Sequence, residues 1–170
     1  RLSADDLRVL DVLYPQLADG EFVFDIGAIA IGDSMLLCSD GRRLHGFTLA
    51  SPDLSNAHGF TIEMDAPITG IAIGPAGHCF VGLDDDNDAR VVEYDLAFVL
   101  ADLDHSDYCP CKYSLSTGAP RGVAFDGGSL HVATKAGQIE AFKVGHGNGM
   151  GQSGTSSSHR VVAPTSDAKA

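Results

Sequence analysis

Two short stretches of the chain hold residues whose types and spacing could do chemistry. The first is Asp84-Asp85-Asp86-Asn87-Asp88, a run of side-chain oxygens with carboxylates at alternate positions. Hard cations such as Ca²⁺ are bound by oxygen sets of this kind. An EF-hand loop, however, needs glycine for its sharp turn where Ala89 stands, and no flanking helical pattern is present. A solvated acidic hairpin loop is therefore the leading reading, with Asp84, Asp86 and Asp88 as the ligand set if calcium binds. As a display loop, Asp84 to Asp88 would present charge to a partner.

The second stretch is His105-Ser106-Asp107-Tyr108-Cys109-Pro110-Cys111. Two thiolates and an imidazole are three of the four ligands that a zinc site requires. The spacing is against it: zinc cysteines are ordinarily separated by two to four residues, whereas only Pro110 intervenes here and no second pair follows. A loop with two incidental thiols leads, and zinc through His105, Cys109 and Cys111, or redox chemistry, is the alternative. No cofactor is expected beyond these Ca or Zn alternatives.

Elsewhere the sequence offers little chemistry. Cys38 and Cys79 sit inside apolar runs, where a thiol is ordinarily a small buried side chain. The other histidines (His45, His58, His78, His131, His146 and His159) are dispersed, and no nucleophile elbow, phosphate loop or dinucleotide fingerprint is present. With a formal net charge of −12 and no cluster of Lys or Arg, the surface repels phosphate, which excludes a general nucleic-acid binder and suits a partner with a basic surface. No apolar run approaches the ~20 residues needed to span a bilayer, so a soluble chain is expected, with an intracellular setting slightly favoured. The chain begins with Arg1, and an upstream segment is expected to be missing.

The elements that must position these loops follow from a repeat. The 170 residues, 44% of them hydrophobic, suffice for one domain with a sizeable core. Pro67 to Leu96 reads as a meander: an apolar run Ile68 to Ile73, the turn Gly74-Pro75-Ala76-Gly77, a second run Cys79 to Leu83, the acidic loop, and a third run Val91 to Leu96. Ile26 to Leu49 and Pro120 to Val144 align with it. Ile29-Ala30-Ile31 matches Ile71-Ala72-Ile73 and Val123-Ala124-Phe125, and Phe47 matches Tyr94 and Phe142. Fourth strands are expected before each unit at Phe22-Val23-Phe24, at Phe60 to Met64 and at Lys112 to Leu115. Ala30 to Ala72 is 42 residues and Ala72 to Ala124 is 52, the spacing of four-stranded propeller blades. Inner strands covered on both faces should be apolar at consecutive positions, while Glu93, Asp95, Glu140 and Lys143 suit third strands nearer the rim with one side toward solvent.

The ends are less regular. Residues 1–25 read as the remnant of a preceding blade or as an N-terminal helix. Leu7 to Leu13 fits a third strand, and Ser3 with Asp6 fits a helix cap. Residues 26–144 hold the three repeats. Residues 145–170 form a Gly/Ser-rich loop or tail with one candidate final strand at 160–163.

These segments resemble blades of NHL-type and related β-propellers, and WD40 and pyrroloquinoline-quinone-type repeats share the outline. The resemblance spans about residues 22 to 144 and is specific for architecture, not subfamily; the chain has no Trp, so Tyr94-Asp95 is the nearest counterpart of a WD40 ending. It implies an all-β partial propeller of about three four-stranded antiparallel blades. Such a segment would need further blades from the same or another chain to close a ring. The function it implies is a protein-interaction scaffold. The alternative is a metal-dependent hydrolase similar to propeller lactonases, whose axial ligands would fall on Asp25, Asp65 and Ser116 or Thr117, an incomplete set.

Overall fold

Three antiparallel meanders follow one another along the chain in a computed structural model that describes residues 15–17, 19–32, 34–49, 57–74, 77–85, 88–101 and 113–144. The first sheet runs β1 (Ile26–Gly32), β2 (Met35–Asp40), β3 (Arg43–Thr48) and β4 (His58–Glu63), paired in that order. The second runs β5 (Ile68–Ile73), β6 (His78–Leu83), β7 (Arg90–Asp95) and, after a short helix α1 (Leu96–Ala101), β8 (Tyr113–Ser116). The third holds β9 (Pro120–Phe125), β10 (Ser129–Thr134) and β11 (Ile139–Lys143).

Local chemistry explains the hairpins. Gly41 and Gly137 hold φ of 60° and 73° at the tips of β2–β3 and β10–β11, a region that only a residue lacking Cβ enters cheaply. The repeat is also written into the backbone. Each inner strand carries an irregularity at the same place: the ladder skips a residue between Ile26 and Ala28, between Ile68 and Gly70, and between Pro120 and Gly122. Gly27, Thr69 and Arg121 are the bulged residues, and a bulge locally bends a strand and re-aims its side chain.

The sheets stack with a fixed polarity. On β1 the small residues Ala28, Ala30 and Gly32 face the second sheet, where a Cβ added to Gly32 would lie 3.0 Å from Ile73. On β5, Gly70, Ala72 and Gly74 likewise face the third sheet; a Cβ at Gly70 would come within 2.8 Å of the Val123 backbone nitrogen. The opposite faces carry large side chains: Ile71, Cys79, Val81, Val92 and Tyr94 pack against Leu37, Leu44, Phe60 and Met64 of the first sheet. Val123, Phe125, Leu130 and Val132 pack on Ala72, Phe80 and Val91, with the Phe80 and Phe125 rings stacked at 5.8 Å. Small faces meet large ones, and sheet follows sheet in a single sense.

Four expectations need adjustment. The fourth strands precede units in sequence but complete the unit behind them, since β4 pairs with β3 and β8 with β7. Phe22-Val23-Phe24 is not a strand; only an isolated bridge links Phe22 to Gln16, and Val23 instead caps a small cluster with Leu36, Cys38 and Phe47 on the outer face of the first sheet. Glu93 does not face solvent but is fully buried. The run ending at Leu96 turns into α1, where the Asp95 carboxylate accepts a hydrogen bond from the Ala97 amide, because Leu96 and Val99 can both reach the core from a helical turn. Leu7 to Leu13 and residues 160–163 lie outside the described residues.

Candidate functional site

The acidic hairpin is built around two arginines that the sequence reading passed over. Arg90, the first residue of β7, is largely buried, and its guanidinium forks between two carboxylates. Nη1 donates to the Asp88 carbonyl at 3.0 Å and to the Asp88 carboxylate at 2.7 Å, while Nη2 donates to Asp65. Planar, multiply donating recognition of this type is what Arg offers and Lys does not. Arg121, the bulged residue of β9, reaches across from the third sheet and brings Nη2 to 3.4 Å from the Asp84 carboxylate. The bulge thus aims a cation of one sheet at the hairpin loop of the next. The Asp88 amide in turn donates to the Asp85 carbonyl, closing the turn.

This geometry bears on both chemical readings of the loop. Asp84 and Asp88 each face an arginine, so a cation seeking their oxygens would compete with a tethered guanidinium. Asp86 and Asn87 lie outside the described residues, as do His105, Cys109 and Cys111. Of the axial set implied by the hydrolase resemblance, Asp65 is engaged by Arg90, and Asp25 holds a left-handed φ of 55° on the first sheet. Among the described residues, no three His, Cys, Asp or Glu side chains cluster closely enough to hold a metal ion. What remains is an ordered edge: Asp65 and Asp88 keep most of their side-chain surface in solvent while an arginine fixes their orientation.

Two histidine–carboxylate contacts lie on equivalent faces of neighbouring sheets. His78 Nδ1 approaches Glu93 Oε1 to 2.6 Å on the face of the second sheet turned toward the third, with the Glu93 side chain fully buried. The approach is off the line of a good hydrogen bond, so its attraction is mainly electrostatic. On the outward face of the third sheet, His131 Nε2 lies 2.9 Å from Asp126 Oδ2. That contact, with the Ser129 amide donating to the same carboxylate, holds Asp126 below the ordinary carboxylate pKa. A third histidine, His45, is fully buried beside Thr61 Oγ1 at 2.9 Å.

Cys38 and Cys79 are buried free thiols, as their apolar runs suggested. Burial, helped by the charge of Asp40, pushes the Cys38 thiol up to about 11, which leaves it protonated and unreactive near neutrality.

No family model and no curated protein sequence matches the chain. Among solved structures, the crystal structure of BamB from Moraxella catarrhalis is similar at 13% identity and a TM-score of 0.48, covering 71% of this chain and 32% of that one. A chain in the crystal structure of a mitotic checkpoint complex is similar at 15% identity and a TM-score of 0.51, covering 70% of this chain and 36% of the other. The second likeness, together with three stacked meanders, decides the architecture. The fold is a partial β-propeller. Its subfamily is unresolved, and the chain spans about a third of the length of the solved chains it matches. Among the described residues, no helix is long and apolar enough to cross a membrane.

Proposed function

We propose that these blades form part of a protein-interaction scaffold, and that the arginine-held acidic edge around Asp65, Asp84 and Asp88 meets a partner with a basic surface. The observation that carries the reading is the fork of Arg90, which holds two largely exposed carboxylates from different loops in fixed orientation. Pre-oriented charges lose less side-chain entropy on binding than free ones. The chain's net charge of −12 adds long-range attraction for a basic partner and favours a fast encounter. Loops at the end of a rigid blade stack are where a scaffold of this architecture presents recognition residues.

The test uses the chain as bait, with cross-linking to map where captured proteins touch it. Contacts are expected to fall on residues 65 and 84–88, and replacing Asp65, Asp84 and Asp88 with Asn should cut recovery about tenfold, on the order of the loss of two or three charge-assisted contacts. Unchanged recovery, or cross-links confined to another face, would remove this edge from the account.

A further inference from the structure

Among the described residues, the third blade ends one strand short, and the edge it leaves has a readable register. In the first blade the strand that follows β3 pairs with it through Gly46↔Phe60, His45↔Thr61, Leu44↔Ile62 and Arg43↔Glu63. In the second, β8 pairs with β7 through Glu93↔Tyr113, Val92↔Ser114, Val91↔Leu115 and Arg90↔Ser116. Phe47, Tyr94 and Phe142 are equivalent in the repeat, so the matching positions on β11 are Ala141, Glu140 and Ile139, followed by Gln138 just before the strand. In both complete blades the outer strand presents, in order, an aromatic ring, a polar residue and an aliphatic residue to those three positions.

We infer that residues 159–162 of this chain, His-Arg-Val-Val, are the fourth strand of the third blade, paired as His159↔Ala141, Arg160↔Glu140, Val161↔Ile139 and Val162↔Gln138. Three independent matches select this register. His159 supplies a ring where Phe60 and Tyr113 stand, and Val161 supplies the aliphatic residue of Ile62 and Leu115, opposite an Ile139 that is exposed without it. Arg160 falls directly across from Glu140, and opposite charges at directly facing positions stabilise an antiparallel pair. Chain length agrees as well: paired residues are 14 apart in Gly46↔Phe60 and 20 apart in Glu93↔Tyr113, and His159 is 18 from Ala141. Gly145 to Ser158, rich in Gly and Ser, would then be the connection that this crossing requires. A slip of one residue sets Val161 opposite Glu140 and turns every side chain to the other face, which loses all three matches. The pairing covers an edge that otherwise invites strand addition by another chain.

The test is cysteine pairing in the full chain with Cys109 and Cys111 replaced by Ser. The Glu140→Cys/Arg160→Cys variant should close an intramolecular disulfide about tenfold faster than Glu140→Cys/Val161→Cys, because only directly facing residues meet the Cα and Cβ spacing that a disulfide needs. Equal rates for the two pairs, or a disulfide-linked dimer reporting a second copy on the edge, would overturn the inference. Hydrogen exchange gives a second reading should either variant misfold. Glu140→Lys should speed exchange of the edge-facing β11 amides about tenfold, and adding Arg160→Glu should restore it. Exchange unaltered by Glu140→Lys would overturn the pairing as well.

Discussion

The middle and first blades begin with nearly the same residues and end in different environments. Ile71 of β5 is 5% exposed, pressed against the first blade, whereas its repeat equivalent Ile29 of β1 is 58% exposed and its neighbour Ile31 is 68% exposed. Strand, bulge and turn recur in both. Local sequence therefore sets the strand, and the neighbouring sheet sets the burial. The third blade repeats the lesson from the other side: Gly70 is clamped against the β9 backbone, while its equivalent Gly122 meets nothing within 4 Å. The large-residue face of the first blade, joined by Phe22, Phe24 and Ile26, is an interface of the same type as the two already filled.

The comparison can be broken most sharply at the isoleucines. Ile71→Ala should cost roughly 2–5 kcal/mol in chemical denaturation, and Ile29→Ala less than about 1 kcal/mol, because only the first opens a cavity. Equal losses would mean that something covers the first blade's outer face in solution. The two histidine–carboxylate contacts offer the next contrast. His78→Ala leaves the buried Glu93 without that partner and should cost about 3 kcal/mol, the lower end for breaking a buried pair. His131→Ala on the open face should leave the denaturation midpoint near that of the parent. The glycines follow: Gly70→Ala must push two backbones apart and should cost roughly 1–3 kcal/mol, while Gly122→Ala should be neutral or slightly stabilising.

Two titrations are smaller effects. The Cys38 thiol is raised in the fold, so its contribution to stability is complete below the unfolded value of 9.0 and fades as pH rises toward about 11. A thiol reagent at pH 8 should leave Cys38 unmodified until denaturant is added. Asp126 is lowered, so its contribution is present above the ordinary value of 3.8 and is lost as pH falls through its lower folded value. A carboxyl NMR titration should show a midpoint below 3.8 that moves upward in His131→Ala.

Much of the architecture could be read from the chain because it depends on local pattern repeated three times. Ile-Ala-Ile, its matches and the glycine turns announce strands and hairpins whatever surrounds them. The errors fall where tertiary contact overrides pattern. Glu93 alternates as a rim residue should, yet His78, fifteen residues away, lies on the adjacent strand beside it. Phe22-Val23-Phe24 has strand composition, but the bridge between Gln16 and Phe22 draws the segment into a cap over the first sheet. At the candidate edge the carboxylates were legible and their arginines were not. Arg90 adjoins the acidic run and carried a local signal, whereas Arg121 meets Asp84 only because a bulge re-aims it across an inter-sheet gap.

The one-way alternation of small and large faces carries a consequence for how such a chain can be cut, copied and joined. A blade inserted after the second must offer bulk behind and Ala or Gly ahead, so a duplicated blade fits in tandem but not in reverse. At the third blade the rule changes, because His131 stands where Leu37 and Phe80 bury themselves, and Asp126 where Gly32 and Gly74 make room. Whatever is spliced there must bring groups that satisfy an acid–imidazole pair, so the two ends of this unit are not interchangeable joints.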